Sequence, residues 1–429
     1  MIRRNSRSGG ALLITIGVVA SLVAIVLTAT STEQVTLRAI SNRTAARRAR
    51  MMAESGIQQA IATLASQSTS QTTQQDDWYQ LGQTGATRYV VGRDSFRIQI
   101  VDAASLINVN TAPEAQLDRL PLTQEQIDSL LDWRTGGETP RADGGKDDYY
   151  NNLSTPYNAK LGALTSLDEL LLVKGFTPKT LYEPQTDTFS TDPLPSKADG
   201  TQYTLYDLCT VDSVSSIGAG GGGGTGGAGG GGGGRLPNIN TITQANQLTS
   251  RGISAAVATR IIAGRGRWTT YNALLGIPGM RIQDARILVD DFSISNAATA
   301  SGKIDINTAS DAVLESIPNM QPDIANAIVT QQGTGFTSLG DLFNVAGFQL
   351  AIARETLDSF TTNSQTFIVH SMGSAGDARC SLDALLSISA NGAKILKITQ
   401  LPYADMSKRW GWDDQTTTDN VLLEDATQQ

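Results

Sequence analysis

Ser8-Gly9-Gly10-Ala11-Leu12-Leu13-Ile14-Thr15-Ile16-Gly17-Val18-Val19-Ala20, continued by Ser21 to Thr32, is an uncharged run closed by Glu33 and preceded by Arg3, Arg4 and Arg7. A membrane-spanning helix needs about 20 consecutive, mainly apolar residues, and this run supplies them. By the positive-inside bias, the three arginines predict a cytoplasmic leader, with the residues after Thr32 on the other side of the membrane. A cleaved secretory signal and a plain single-pass anchor are the competing readings; a signal has a shorter apolar core and a small-residue site, for which Ala29-Thr30-Ser31 is the candidate. The residues beyond Glu33 argue against both. Gln34 to Ser66 has no proline, is rich in Ala and Arg, and repeats apolar residues at Ala53, Ile57, Ala60, Ile61 and Leu64. This is helical spacing, so one helix is predicted to start in the bilayer and continue as an amphipathic rod, ~80 Å from Ala11 to Ser66.

Composition bounds the rest. A chain of 429 residues is long enough for several domains with a sizeable core. The net charge of -8 argues against nucleic acid as the main ligand, because a phosphate-binding face shows as a basic surplus. Cys209 and Cys380 would lie in an oxidising compartment, either paired or as two free thiols. His370 is the single histidine, and no metal-binding His/Cys cluster or nucleophile elbow accompanies it. The chemistry of an enzyme is not visible, and a non-catalytic role is expected.

Three stretches open alike: Ile107-Asn108-Val109-Asn110-Thr111-Ala112, Pro237-Asn238-Ile239-Asn240-Thr241 and Ile304-Asp305-Ile306-Asn307-Thr308-Ala309. Twelve residues after the second Asn of each comes a tight turn, at Leu122, Gly252 and Asn319, and a second turn falls at Gly175, Gly279 and Gly347. Asn-Thr before an apolar-periodic run reads as a helix N-cap, and short helices joined by Pro/Gly turns read as helical hairpins. The chain therefore carries tandem helix-hairpin-helix units. From Asn110 to Gly175 is 65 residues, against 39 and 40 in the other two, so the first unit contains an insertion between Trp133-Arg134 and Leu164. That insertion is Gly-rich and acidic, with Asp143, Lys146, Asp147 and Asp148 ahead of Tyr149-Tyr150. Asp143, Asp147, Asp148 and loop carbonyls could supply some of the oxygens a hard cation collects. The array is flanked by strand-like alternation at 87–102 and again near 366–398, which predicts an antiparallel sheet closing on the long helix.

A basic leader ending in Gly, an apolar half-helix and an amphipathic continuation resemble the type IV pilin-like class. The local pattern Arg7-Ser8-Gly9-Gly10-Ala11-Leu12-Leu13 resembles minor pseudopilin K of type II secretion, and the tandem units resemble the SAM-like domain of that family. The resemblance implies that prepilin peptidase cuts between Gly9 and Gly10. It also implies that the apolar face, including Leu12, Leu13, Ile14, Val18, Val19, Val23, Ile25 and Val26, sits first in the inner membrane and later in a filament core. Most pilin-like chains have Glu as the fifth mature residue; here Ile14 stands there, or Thr15 if the cut follows Gly10, and absence of that Glu is a mark of the K type. Without a carboxylate to pair with the N-terminal amine of a neighbour ahead, such a subunit fits the filament tip.

In the same family the acidic insertion binds calcium. Here the Asp-x-Asp usual after Trp-Arg is replaced by Thr135-Gly136-Gly137, and Lys146 stands where a Glu is usual, so a calcium site and a solvated acidic loop both remain open.

The expected architecture is α+β: a long N-terminal transmembrane and amphipathic helix, a pilin-like antiparallel sheet, and inserted all-α tandem helix-hairpin-helix domains. The expected boundaries are a leader over 1–9, membrane helix 10–32, its continuation 33–66, sheet segments 84–104 and 365–403, and a first unit over 105–185. A Gly-rich linker over 212–236, a second unit 237–292, a third 303–360 and a mobile tail 404–429 complete the chain. The implied partners are other minor pseudopilins, prepilin peptidase, the secretion apparatus with its secreted substrates, and the bacterial inner membrane, the bulk being periplasmic. The alternative is a membrane-anchored DNA receptor of the competence type. Against it, no turn has both glycines of the DNA-binding hairpin, and only the second unit is basic, through Arg251, Arg260, Arg265, Arg267, Arg281 and Arg286.

Overall fold

A computed structural model describes residues 8–66, 71–82, 85–185, 194–197, 200–217, 236–401, 410–412 and 418–423. The leader up to Arg7 and the glycine run from Gly218 to Gly234 lie outside the described residues.

Helix α1 spans Ser8–Ala65, 58 residues without a break, or ~87 Å at 1.5 Å per residue. Its apolar half contains hydroxyls that a bilayer would not solvate. They are turned back on the helix: Thr15 Oγ1 donates to Leu12 O at 2.9 Å, Ser21 Oγ to Val18 O at 2.8 Å and Thr30 Oγ1 to Val26 O at 2.8 Å. The far half lies on a sheet. Ala49, Ala53, Ile57, Ala60 and Leu64 are at most 1% exposed and form the stripe that makes the contact. The helix approaches closely because small residues meet there. A Cβ on Gly56 would lie 2.6 Å from Ile98 Cγ2, and one on Gly373 would run into the Ala49 carbonyl and the Ala53 amide. Ser371 Oγ donates to Ala53 O at 2.7 Å across the same seam, and Arg48 pairs with Asp94.

Among the described residues the sheet has six strands: β1 Thr87–Val91, β2 Asp94–Asp102, β3 Thr366–Ala375, β4 Ala378–Ser389, β5 Gly392–Leu401 and β6 Thr418–Leu423. Their spatial order is β5-β4-β3-β2-β1-β6. Ile98 pairs with Ser371 and Ile100 with Val369, so Phe96, Ile98, Ile100, Phe367 and Val369 alternate onto the face under α1. All neighbours are antiparallel except β6, which runs parallel to β1 with Val90 opposite Val421. The expected antiparallel sheet is thus mixed, because the chain leaves β5 at one edge and returns at the other. The expected mobile tail is corrected for its described part. Trp410 and Trp412 are buried on the sheet face opposite α1, where Trp412 Nε1 donates to Gln99 Oε1 at 2.8 Å, and β6 is a strand. Two indoles bury enough apolar surface to hold an otherwise polar segment in place.

Everything between β2 and β3 is the helical array. One continuous apolar core runs through all three units, from Ile107 to Phe360. Each unit is closed by its opening motif: Ile107–Asn108 pairs in parallel with Cys209–Thr210, Asn238 bridges Ser293, and Ile304–Asp305 pairs with Phe360–Thr361. The first unit therefore extends to Thr210 and not 185, since the short helix Leu205–Leu208 completes its core. Val214–Ser216 pairs with Thr299–Ser301, so the second unit leaves and rejoins the chain at one two-stranded ribbon. It also leans on the third, where Gly340 N donates to Asp290 Oδ1 at 2.9 Å and Tyr271 N to Asp358 Oδ2 at 2.9 Å. Residues after α1 dock on the third unit as well, Gln71 Nε2 donating to Phe336 O at 2.8 Å. Both cysteines are buried free thiols, Cys209 in the helical core and Cys380 between α1 and the sheet.

Candidate functional site

The first candidate surface is the apolar half of α1. Leu12, Leu13, Ile14, Val18, Val19, Val23, Ile25 and Val26 are all more than half exposed, from 51% at Val18 to 72% at Leu13. A face this apolar, with nothing among the described residues packed on it, suits lipid or other helices. The segment has a mean hydropathy of 2.7 and is long enough to cross a membrane. Gly9 and Gly10 lie in the first turn of α1, and a Cβ on Gly10 would meet nothing within 4 Å.

The second is the acidic insertion, whose three aspartates are not brought to a point. Asp147 is half-buried and its Oδ1 accepts from Ala159 N at 2.7 Å, tying down the end of the loop. Asp143 and Asp148 are exposed. Among the described residues no group of three or more His, Cys, Asp or Glu is placed to hold a metal ion. The interior of the loop is instead filled by Lys146, which is 4% exposed. Its Nζ donates to Asp132 O at 2.6 Å and Thr135 O at 2.7 Å. The donor set that calcium would require does not fit here: the carboxylates are dispersed and an ammonium occupies the carbonyls.

The basic residues of the second unit are largely engaged within the fold. Arg251 pairs with Asp291 at 3.0 Å, Arg281 makes a two-pronged pair with Asp284, and Arg286 meets Asp341 at 3.1 Å. Arg260 donates to Pro278 O, leaving Arg265 and Arg267 exposed. The Arg281 guanidinium holds the Asp284 carboxyl down at about 2. Guanidinium groups held by carboxylates in this way are poorly placed to neutralise phosphates. His370 is likewise committed, with Nδ1 2.6 Å from Asp383 Oδ1 and its ring stacked on Trp410.

The first residue of each pair caps the turn that follows, Asn238 as the N-cap of the short helix Ile239–Thr241, whereas the second Asn has a role other than the expected helix N-cap. Asn108 Oδ1, Asn238 Oδ1 and Asp305 Oδ1 each accept from the amide of the second Asn, at 3.0, 2.8 and 2.9 Å. That second Asn then bonds reciprocally to the main chain of a distant residue. Asn110 accepts from Leu164 N and donates to Leu164 O, Asn240 does so with Trp268, and Asn307 with Phe336. A side-chain amide presents one donor and one acceptor side by side, as a backbone peptide does, and so joins the start of each unit to its second half.

Residues 106–183, the first unit through its second turn and the helix Pro178–Tyr182, match the family model of the type II secretion system (T2SS), protein K. This chain is similar to protein K of type II secretion. Residues 299–357, the third unit, match the helix-hairpin-helix motif. Among solved structures, one match is the crystal structure of the GspK-GspI-GspJ complex from the type 2 secretion system of enterotoxigenic Escherichia coli. The identity is 12%, the TM-score is 0.46, and the match covers 85% of this chain and 100% of that one. No curated protein matches the chain.

Proposed function

We propose that this chain is a minor pseudopilin, anchored by 10–32 in the bacterial inner membrane with its bulk in the periplasm, and placed at the tip of a type II secretion pseudopilus. The observation that carries the reading is the combination of a protein K domain with an exposed apolar half-helix continuous with the helix that supports the sheet. In the membrane the exposed face contacts lipid, and in the filament the corresponding faces of other pseudopilins replace it. Ile14 offers no carboxylate to a neighbour's amine, and the array between β2 and β3 is too bulky to be stacked within a rod. Both features suit a subunit that begins assembly and meets secreted substrate or the outer-membrane secretin. Prepilin peptidase removes the leader after Gly9.

Mass spectrometry of the membrane-extracted protein should give an N-terminus at Gly10. The protein should also retain other minor pseudopilins from the same cells in a pull-down. An intact Met1 or a start near Ser31 would overturn the processing. Capture of duplex DNA with a steep salt dependence, without pseudopilins, would replace the function with a DNA receptor.

A further inference from the structure

Two ammonium groups, Lys146 from within the insertion between Trp133 and Leu164 and Lys174 from beyond it, lie among main-chain oxygens as a metal ion would. We propose that Lys146 and Lys174 act as tethered cations that close this loop, so that it keeps its shape without metal. Lysine is almost never fully buried unless its charge is satisfied. Lys146 is 4% exposed, and the partners of its Nζ are two neutral carbonyls, Asp132 O and Thr135 O, at 2.6 and 2.7 Å. Both belong to the C-terminal end of the helix Gln124–Arg134, where unpaired carbonyls and the helix dipole favour positive charge.

Lys174 approaches from the other side. Its Nζ donates to Asp143 O at 2.9 Å and Gly144 O at 3.2 Å, pairs with Glu125 Oε1 at 3.1 Å, and lies 5.2 Å from the centre of the Tyr149 ring. Four carbonyls at the two ends of the loop are thus gathered by two protein cations.

The carboxylates nearest the loop have other work. Asp128 Oδ2 accepts from Asp143 N at 3.1 Å and Asp132 Oδ2 from Arg141 N at 3.0 Å, so they pin the backbone. Gly144 lies flush on this layer, since a Cβ there would run into the Asp132 carboxylate. A divalent ion would have to displace a tethered ammonium from its carbonyls and tolerate the second one nearby. The geometry of the loop alone carries this, whether or not the chain acts in secretion.

The test uses the full chain in detergent micelles, with 5 mM calcium or a calcium chelator as the probe. Melting temperature and the rate of protease cleavage within 135–146 are expected to be the same in both, with no heat on calcium titration. Lys146→Met keeps the methylene stem, removes the charge and leaves two carbonyls unpaired, and should speed cleavage roughly ten-fold or more in calcium and in chelator alike. Lys174→Met, at the rim of the loop, should give a smaller increase with the rest of the chain intact, which covers the case in which the first variant does not fold. A chelator-induced drop in melting temperature of the unaltered chain, measurable calcium binding, or both variants cleaved as slowly as the parent would overturn the proposal.

Discussion

Asp305 stands where the first two units have Asn108 and Asn238, and it is fully buried. Burial, with the nearby Asp102 adding to it, holds its carboxyl well above the ordinary range, and Oδ2 has no hydrogen-bond partner among the described residues. Asp102 is itself pushed up to about 6 by burial, against hydrogen bonds from Ser364, Thr308 and Ala104 that lower it. For a group raised in the folded state, its stabilising contribution is complete below the unfolded value near 3.8 and is lost as pH rises through about 6. Acidification from pH 7 to pH 5 should therefore strengthen the junction of sheet and third unit. Asp305→Asn should raise stability at pH 7.5 by roughly 1–3 kcal/mol, and by less as the pH falls. Thermal melts of both proteins across that range check it; a gain that grows on acidification would contradict the assignment. The repeat that makes this comparison available is plain in the sequence. The partners of the second Asn are not, because Leu164, Trp268 and Phe336 are joined to it only by the closed hairpin and no local pattern links them. Lys146 was visible only as a departure from an acidic loop, since nothing in the sequence tells a solvated lysine from one turned inward onto carbonyls.

At the scale of elements, the turns are the most legible part. Gly175, Gly279 and Gly347 have φ of 82°, 84° and 83°, the same left-handed conformation at the same place in each unit. Gly347→Ala would be strained there, with its Cβ 3.3 Å from Ile324 Cγ1, and should cost about 1–2 kcal/mol in a denaturant melt. Ala at Gly136, where φ lies outside the left-handed region and a Cβ meets nothing within 4 Å, is the control and should be near neutral. Helix α1 was equally legible, because lipid and the sheet impose different patterns on one uninterrupted run and each shows in the spacing of its apolar residues. The direction of β6 was not, since a parallel edge strand and a tail have the same local composition. What separates them is the pair of indoles that fastens the crossing at Gln99 and His370.

For the whole molecule, α1 meets the sheet from about Arg48, beside Asp94 at the start of β2, and the array departs after Asp102 at the other end of that strand, so the exposed apolar half of α1 and the array leave the sheet at different ends of β2. Ile14→Glu should leave membrane fractionation unchanged while altering which pseudopilins co-purify, because a carboxylate at that depth can pair with a neighbour's amine. Loss of the protein from the membrane fraction, with partners unaltered, would argue against a tip position.

The chain order of this domain also sets a timetable for its biogenesis. The bond from Ser371 to Ala53 joins residues 318 apart in sequence, and β2 finds its neighbour β3 only across the array. A chain threaded through a translocation channel from its N-terminal end exposes β1 and β2 long before their partner emerges. The helical units, by contrast, close across shorter stretches, Ile107 on Cys209, Asn238 on Ser293 and Ile304 on Phe360, and are ready sooner. The half-built sheet must wait on the supporting helix with a strand edge open, and in that interval it is the part of the nascent protein most exposed to misassociation.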